Sequence, residues 1–266
     1  MDLLLYMTYK AFKFLVLLLP KRLVKLFLDG LSYLIFKLNK EHKNYAKANL
    51  DFVYGSKISD KEKWKIVRET YRNMLYNLFE FIENQSLDLE GFEKKISVEN
   101  EHFLTDCIKN NRKIILITAH YGNWEYGNTF IPLKYKPTTM VGRPMNNKYF
   151  NEELDATRTR NNTQMLTKNE AGRGLVKALK DGRIVGMVID QHNGVGIDVE
   201  FLGHRVKQAD SASRLAVKFD AVIIPLFFIM DDFGKYTAKF YEAIEPKEYE
   251  GEDQILKLTQ AQADVM

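Results

Sequence analysis

The sequence predicts an α/β fold: a mainly parallel central sheet flanked by helices, preceded by an N-terminal helical segment suited to a membrane surface. Three observations lead there. From about residue 95 onward, short β-branched runs alternate with amphipathic stretches, the order that builds a parallel sheet. Two of those runs, KIILITA at 113–119 and VIIPLFFI at 222–229, are almost wholly apolar, as strands covered on both faces are. The first 48 residues instead interleave large apolar side chains with Lys and Arg.

The elements follow in order. Residues 3–19 (LLLYMTYKAFKFLVLLL) form an apolar run broken by Lys10 and Lys13 and ended by Pro20, short of the roughly 20 apolar residues a bilayer span needs. A second amphipathic stretch runs from Lys21 to Lys40. Residues 1–48 carry nine basic and three acidic side chains, net +6, whereas the remainder carries 30 basic and 32 acidic. This points to an interfacial anchor drawn to anionic lipid, and a nearly neutral body argues against a broad nucleic-acid surface. A cleaved signal peptide would put its charge ahead of the apolar core, which this segment does not do. Ser59 and Glu62 have capping-box spacing, and Trp64, Val67, Tyr71, Leu75, Leu78, Phe79 and Ile82 recur at helical spacing as far as Asn84. Beyond it, strands are expected at 96–98, 113–119, 138–142, 184–189, 222–229 and 236–241, and helices at 101–109, 124–130, 148–160, 172–180 and 209–219. Pro225 inside the fifth strand predicts an edge or a bulge there. The domain boundary is placed at 50/51.

Composition narrows the function. Apolar residues make up 45% and charged residues 28% of 266, which excludes a disordered or fibrous chain. A mean hydropathy of −0.31 excludes a polytopic membrane protein. The single cysteine, Cys107, excludes an internal disulfide framework and a multi-cysteine zinc site. GxGxxG, P-loop, GxSxG and HExxH motifs do not occur in the sequence.

Two expected strand ends carry polar groups, which is where α/β sheets place their sites. The first reads Thr118-Ala119-His120-Tyr121-Gly122-Asn123-Trp124-Glu125. Gly122 permits a tight turn, Asn123 suits a helix N-cap, and Glu125 would then lie in the first helical turn. Across that corner the Glu125 carboxylate is expected to hold one His120 nitrogen and leave the other as a general base. No protein nucleophile accompanies the pair, so a substrate hydroxyl is the natural nucleophile; a histidine merely satisfied in a turn is the plainer alternative. The second end is Asp190-Gln191-His192-Asn193-Gly194, a candidate second wall. Asp190, His192, Asp198 and His204 match no established metal-ligand spacing, so no metal is assigned. Arg143, Arg158 and Arg160 are candidates for clamping phosphate or carboxylate, or for ordinary salt bridges, the latter more for Arg158 than for Arg143.

Taken together, these blocks resemble the late acyltransferases of lipid A biosynthesis, the lauroyl/myristoyl acyltransferase family within the lysophospholipid and glycerol-phosphate acyltransferase group. The resemblance rests on AHYGNWE with His120 and Glu125, then Gly142-Arg143-Pro144, Arg158-x-Arg160-Asn161, GLVKALKDG at 174–182, Asp190-Gln191 and VEFLG at 199–203, and covers about residues 1–260. It implies membrane-anchoring helices at 1–50 and an acyltransferase α/β domain at 51–266. It implies transfer of a fatty acyl chain from acyl carrier protein to a hydroxyl of a lipid A precursor, in lipopolysaccharide biosynthesis, without a cofactor. His120 and Glu125 would be catalytic; Arg143, Arg160, Asp190 and Gln191 would bind substrate. The enzyme would sit on the cytoplasmic face of the inner membrane, peripherally or by one N-terminal anchor. Members of the family continue past the position of Met266, so the C-terminus reads as truncated. Another glycolipid or lysophospholipid acceptor, a coenzyme A donor and a non-catalytic lipid-binding role stay open, and a metal-dependent hydrolase using residues 190–204 is a weaker rival.

Overall fold

The structure, a computed structural model, describes residues 2–191 and 194–266. Its contacts divide the chain into two compact units, Met1–Ser86 with Leu202–His204, and Leu87–Phe201 with Arg205–Met266.

The first unit holds helices α1 (Asp2–Leu18), α2 (Lys21–Leu38), α3 (Lys40–Tyr54) and α4 (Asp60–Glu83). It reaches past the boundary expected at residue 50, because α4 packs along both α2 and α3. Helix α4 starts at the expected capping box: the Ser59 hydroxyl accepts from the Glu62 amide, and the Glu62 carboxylate accepts from the Ser59 amide at 2.8 Å. Val67, Leu75, Phe79 and Ile82 form the buried stripe of α4. Asp29 on α2 accepts hydrogen bonds from Tyr76 of α4 and from Lys25. Burial alone would raise the Asp29 carboxyl, but these two donors bring it below its ordinary range. Much of α1 and α2 stays uncovered: Leu4, Phe14, Leu18 and Leu26 are each more than 60% exposed. Among the described residues no helix is long and apolar enough to cross a membrane.

The second unit is a three-layer α/β/α arrangement. A seven-stranded sheet has the order β1 (Ile96–Glu99), β9 (Lys235–Phe240), β8 (Ala221–Asp232), β2 (Lys113–Thr118), β5 (Ile184–Val188), β3 (Thr138–Val141), β4 (Thr163–Leu166). All neighbours are parallel except β8 and β9. Strand alternation divides the core between the two faces. Ile114 and Leu116 point toward α5 (Leu89–Glu93), α6 (His102–Lys109) and α7 (Tyr126–Lys134), packing with Phe92, Leu104, Tyr126 and Phe130. Ile115 and Ile117 point the other way, toward α9 (Ala171–Lys180), α10 (Ser211–Phe219) and α11 (Gln254–Asp264). Helix α8 (Lys148–Thr159) joins β3 to β4, and β6 (Ile197–Phe201) pairs with β7 (His204–Gln208) as a separate ribbon.

Pro225 does not lie on an edge strand. It pairs with Ile117 at the last position where β8 runs beside β2, and the ladder to β9 begins at Leu226. The residue lacking an N–H falls where one ladder hands over to the next, so an interior strand tolerates it.

Candidate active site

The site stands at the C-terminal ends of β2 and β5. Both are near-continuous apolar runs and pair in parallel, with Thr118 opposite Val188. Each chain continues for two residues past that pair, and the Ile189 amide donates to the Thr118 carbonyl at 3.0 Å. The next two side chains, His120 and Asp190, therefore meet. One Asp190 oxygen accepts from the His120 backbone N–H at 2.8 Å, and the other lies 2.7 Å from His120 Nδ1. With both carboxylate oxygens engaged, Nδ1 carries the proton of the neutral ring, which leaves the Nε2 lone pair available. The His120 side chain is 34% exposed, so Nε2 can be reached. Gln191 places its amide nitrogen 3.5 Å from Nε2, and the Trp124 ring meets the imidazole edge-on at 4.9 Å.

The turn after His120 is pinned to β8. Gly122 has φ +61° and bridges to Phe228, and the Asn123 amide donates to the Phe228 carbonyl at 3.0 Å. A Cβ on Gly122 would sit 1.8 Å from that carbonyl oxygen, so only glycine fits. Asn123 is not the cap of the following helix. It is buried, its carbonyl accepts from the Tyr126 amide at 3.2 Å, and α7 begins at Tyr126, with Glu125 at the position before it.

The expected His120–Glu125 pair is corrected. The Glu125 carboxylate faces Arg158 of α8, accepting from Nε at 3.1 Å and Nη2 at 2.5 Å, and accepts a third bond from Asn128 at 3.1 Å. A bidentate guanidinium pair with both side chains mostly covered outcompetes a single imidazole. Arg158 thus forms a salt bridge, the plainer of its two expected roles. Asp190, expected to bind substrate, instead holds the histidine.

Arg143 lies two residues past β3, at the same end of the sheet, exposed and without a partner among the described residues. Arg160, expected to bind substrate, stands at the end of α8. It closes α8 three residues before β4, in the turn where Arg183, just ahead of β5, donates to the Asn162 carbonyl at 2.6 Å. That turn is at the N-terminal ends of the strands, the opposite edge from His120. His192 lies outside the described residues; Asp198 pairs with Arg205 and Lys207. Among the described residues no cluster suited to a metal ion occurs.

Sequence reasoning missed a narrow apolar cleft on the α7 face of the sheet. It measures about 20 Å³ and is lined by Thr118, Trp124, Met140, Gly186, Met187 and Phe228, among others. A trace of it is present in the sequence: a glycine inside a strand, such as Gly186, marks space for a neighbouring side chain, here Met140.

The whole chain, residues 2–266, matches the family model described as bacterial lipid A biosynthesis acyltransferase. The chain belongs to that family. No curated protein matches it. As a lipid A biosynthesis acyltransferase it acts on a lipid acceptor, and the His120–Asp190 pair is the arrangement in it best suited to activate a hydroxyl.

Proposed function

We propose that the chain transfers a fatty acyl group from an acyl-carrier-protein thioester to a hydroxyl of a lipid A precursor, with His120 as the general base. The observation that carries this reading is the 2.7 Å contact between His120 Nδ1 and Asp190 at the sheet's C-terminal edge. His120 Nε2 takes the proton from the acceptor hydroxyl as its oxygen attacks the thioester carbonyl carbon. The carbonyl π electrons pass to oxygen and form a tetrahedral intermediate. Collapse restores the carbonyl and breaks the C–S bond, and the departing thiolate takes the proton back from the imidazolium. Asp190 steadies the imidazolium between these steps, in the role of a triad carboxylate. The sequence motif pairs Glu125 with His120, but in this reading Glu125 acts at one remove, bracing the start of α7 against Arg158. Arg143 offers an exposed guanidinium for an acceptor phosphate. Gln191 beside Nε2 donates to the incoming hydroxyl. The chemistry needs only proton transfer, so no cofactor is invoked.

The apolar, basic helices α1 and α2 supply the lipid contact in this reading, seating the enzyme peripherally on the cytoplasmic face of the inner membrane. Their exposed leucines and phenylalanines suit the acyl boundary, and their lysines suit anionic headgroups.

The test is acyl transfer by the purified protein in mixed micelles, with defined acyl-carrier-protein and lipid A precursor, followed by mass spectrometry. His120→Ala is expected to reduce the rate by roughly 10²–10⁴-fold, the usual contribution of a general base. Transfer at the wild-type rate by that variant would refute the reading. Equal turnover of a coenzyme A thioester would refute the carrier-protein assignment alone.

A further inference from the structure

Helix α9 carries charges that the fold itself does not use. Its buried side, Leu175, Ala178 and Leu179, belongs to the same core as Ile115 and Ile117 of β2, so the helix is fixed on the sheet. Its outer side presents Arg173, Lys177 and Lys180, whose i, i+4, i+7 spacing sets them in one exposed row about 10 Å long. Lys168 is exposed in the turn just ahead of the helix. None of these four has a hydrogen-bond or ion-pair partner among the described residues. The helix contains no acidic residue, and the Glu170 carboxylate before it is taken by the Thr167 amide and hydroxyl at 2.8 and 2.7 Å. By contrast, Lys109 of α6, Lys134 of α7, Arg158 of α8 and Arg214 of α10 each face a carboxylate. The row works against the helix in two ways. Like charges at i, i+3 and i, i+4 repel, and Arg173 lies in the first turn, at the positive end of the helix dipole. No large apolar side chain is exposed on α9, so the row lacks the interleaved leucines and phenylalanines that suit α1 and α2 to lipid.

We propose that the exposed face of α9 is the docking surface for the acyl carrier protein, pairing with a row of carboxylates on that partner. The inference rests on the acyl-transfer reading, in which the donor arrives tethered to a protein that some surface beside the site must receive. Helix α9 joins the end of β4 to the start of β5, so its first turn stands at the C-terminal edge of the sheet, the edge that carries His120. Three strand steps separate β4 from β2, roughly 14 Å. A carrier seated on α9 therefore presents its thioester from beside the site and leaves the 34% exposed His120 open to the acceptor. Unpaired cations on a rigid helix find their counter-charges when the carrier arrives. Such pairs steer the encounter and fix its orientation more than they add affinity. A bilayer would meet the same charges, but a row without apolar side chains has nothing to insert, which favours a protein partner.

The test combines Arg173→Glu, Lys177→Glu and Lys180→Glu in the full chain and measures association with fluorescently labelled acyl carrier protein by stopped flow. The expected result is association slowed about tenfold or more at low salt, with a flatter salt dependence than wild type. In the transfer assay, KM for the acyl-carrier-protein thioester should rise by a similar factor while kcat at saturation stays close to wild type. A triple variant with glutamine at the same positions removes charge without adding any; it should lie between the two, and it stands in if the glutamate variant fails to fold. Association and KM at wild-type values in a folded variant would overturn the proposal. So would loss of flotation with anionic vesicles while carrier association is unchanged, which would make α9 a membrane contact. The parent reading fails separately: wild-type protein that binds the carrier but transfers no acyl group removes acyl transfer and leaves the docking face, whereas full transfer by the charge-reversed variant removes α9 alone.

Discussion

At the scale of single residues, the site depends on two contacts that separate neighbours in the sequence. Glu125, five residues after His120, is bound by Arg158, and Asp190, seventy residues away, holds the imidazole. Arg158→Ala leaves the mostly covered Glu125 carboxylate short of its main partner. Destabilisation of about 1–3 kcal/mol is expected, read by denaturant melting, with the rate per folded molecule falling less than tenfold. A hundredfold fall in rate at unchanged stability would instead place Arg158 in the chemistry. Gly122 is the second sensitive point. Alanine there would force its Cβ into the Phe228 carbonyl and keep a positive φ, so Gly122→Ala should lose at least about 2 kcal/mol and shift the His120 turn. Two-dimensional NMR of the His120 ring would show the shift, and an unchanged spectrum would contradict the packing described.

At the scale of elements, the apolar strands β2, β5 and β8 were legible because hydrophobic runs of that length have few other uses. The short β4 (TQML) and the β6–β7 ribbon were missed because short strands with mixed polar and apolar residues lack that signal, although Leu202-Gly203 turns the ribbon with both residues at positive φ. Helix α3 was missed for the same reason: none of its residues is buried, so no apolar stripe betrays it. The start of α4 was legible from its cap. The Ser59 hydroxyl and then its amide hold the Glu62 carboxyl below its ordinary 4.5. A depressed carboxyl stabilises the fold above its unfolded pKa and loses that contribution as pH falls through the lowered value. Ser59→Ala should therefore destabilise the fold at pH 7 and visibly less near pH 3. An effect independent of pH would exclude the contact between the Ser59 hydroxyl and the Glu62 carboxylate. In α6, burial is the main reason the Cys107 thiol is raised above its usual range. Native protein at pH 7.5 should react with iodoacetamide far more slowly than unfolded protein, and equal rates would show that α6 is not packed as described.

At the scale of the whole molecule, the family and the α/β class could be read from ordered motifs, but the pairing inside the site could not. Which carboxylate meets His120 is decided by β5 entering the sheet beside β2, a long-range event that proximity in sequence does not report. The basic, apolar N-terminal unit predicts that the protein floats with anionic vesicles and releases as salt rises, while neutral vesicles retain less. Binding indifferent to lipid charge and salt would remove the electrostatic part of that expectation. The central claim concerns the partner of His120. The measurement that tests it most directly is the acyl-transfer kcat of Asp190→Asn set beside that of Glu125→Gln, each corrected for folded fraction. The account predicts a loss of roughly 10²–10⁴-fold for Asp190→Asn and less than tenfold for Glu125→Gln. The reverse order, with Asp190→Asn near wild type, would contradict it.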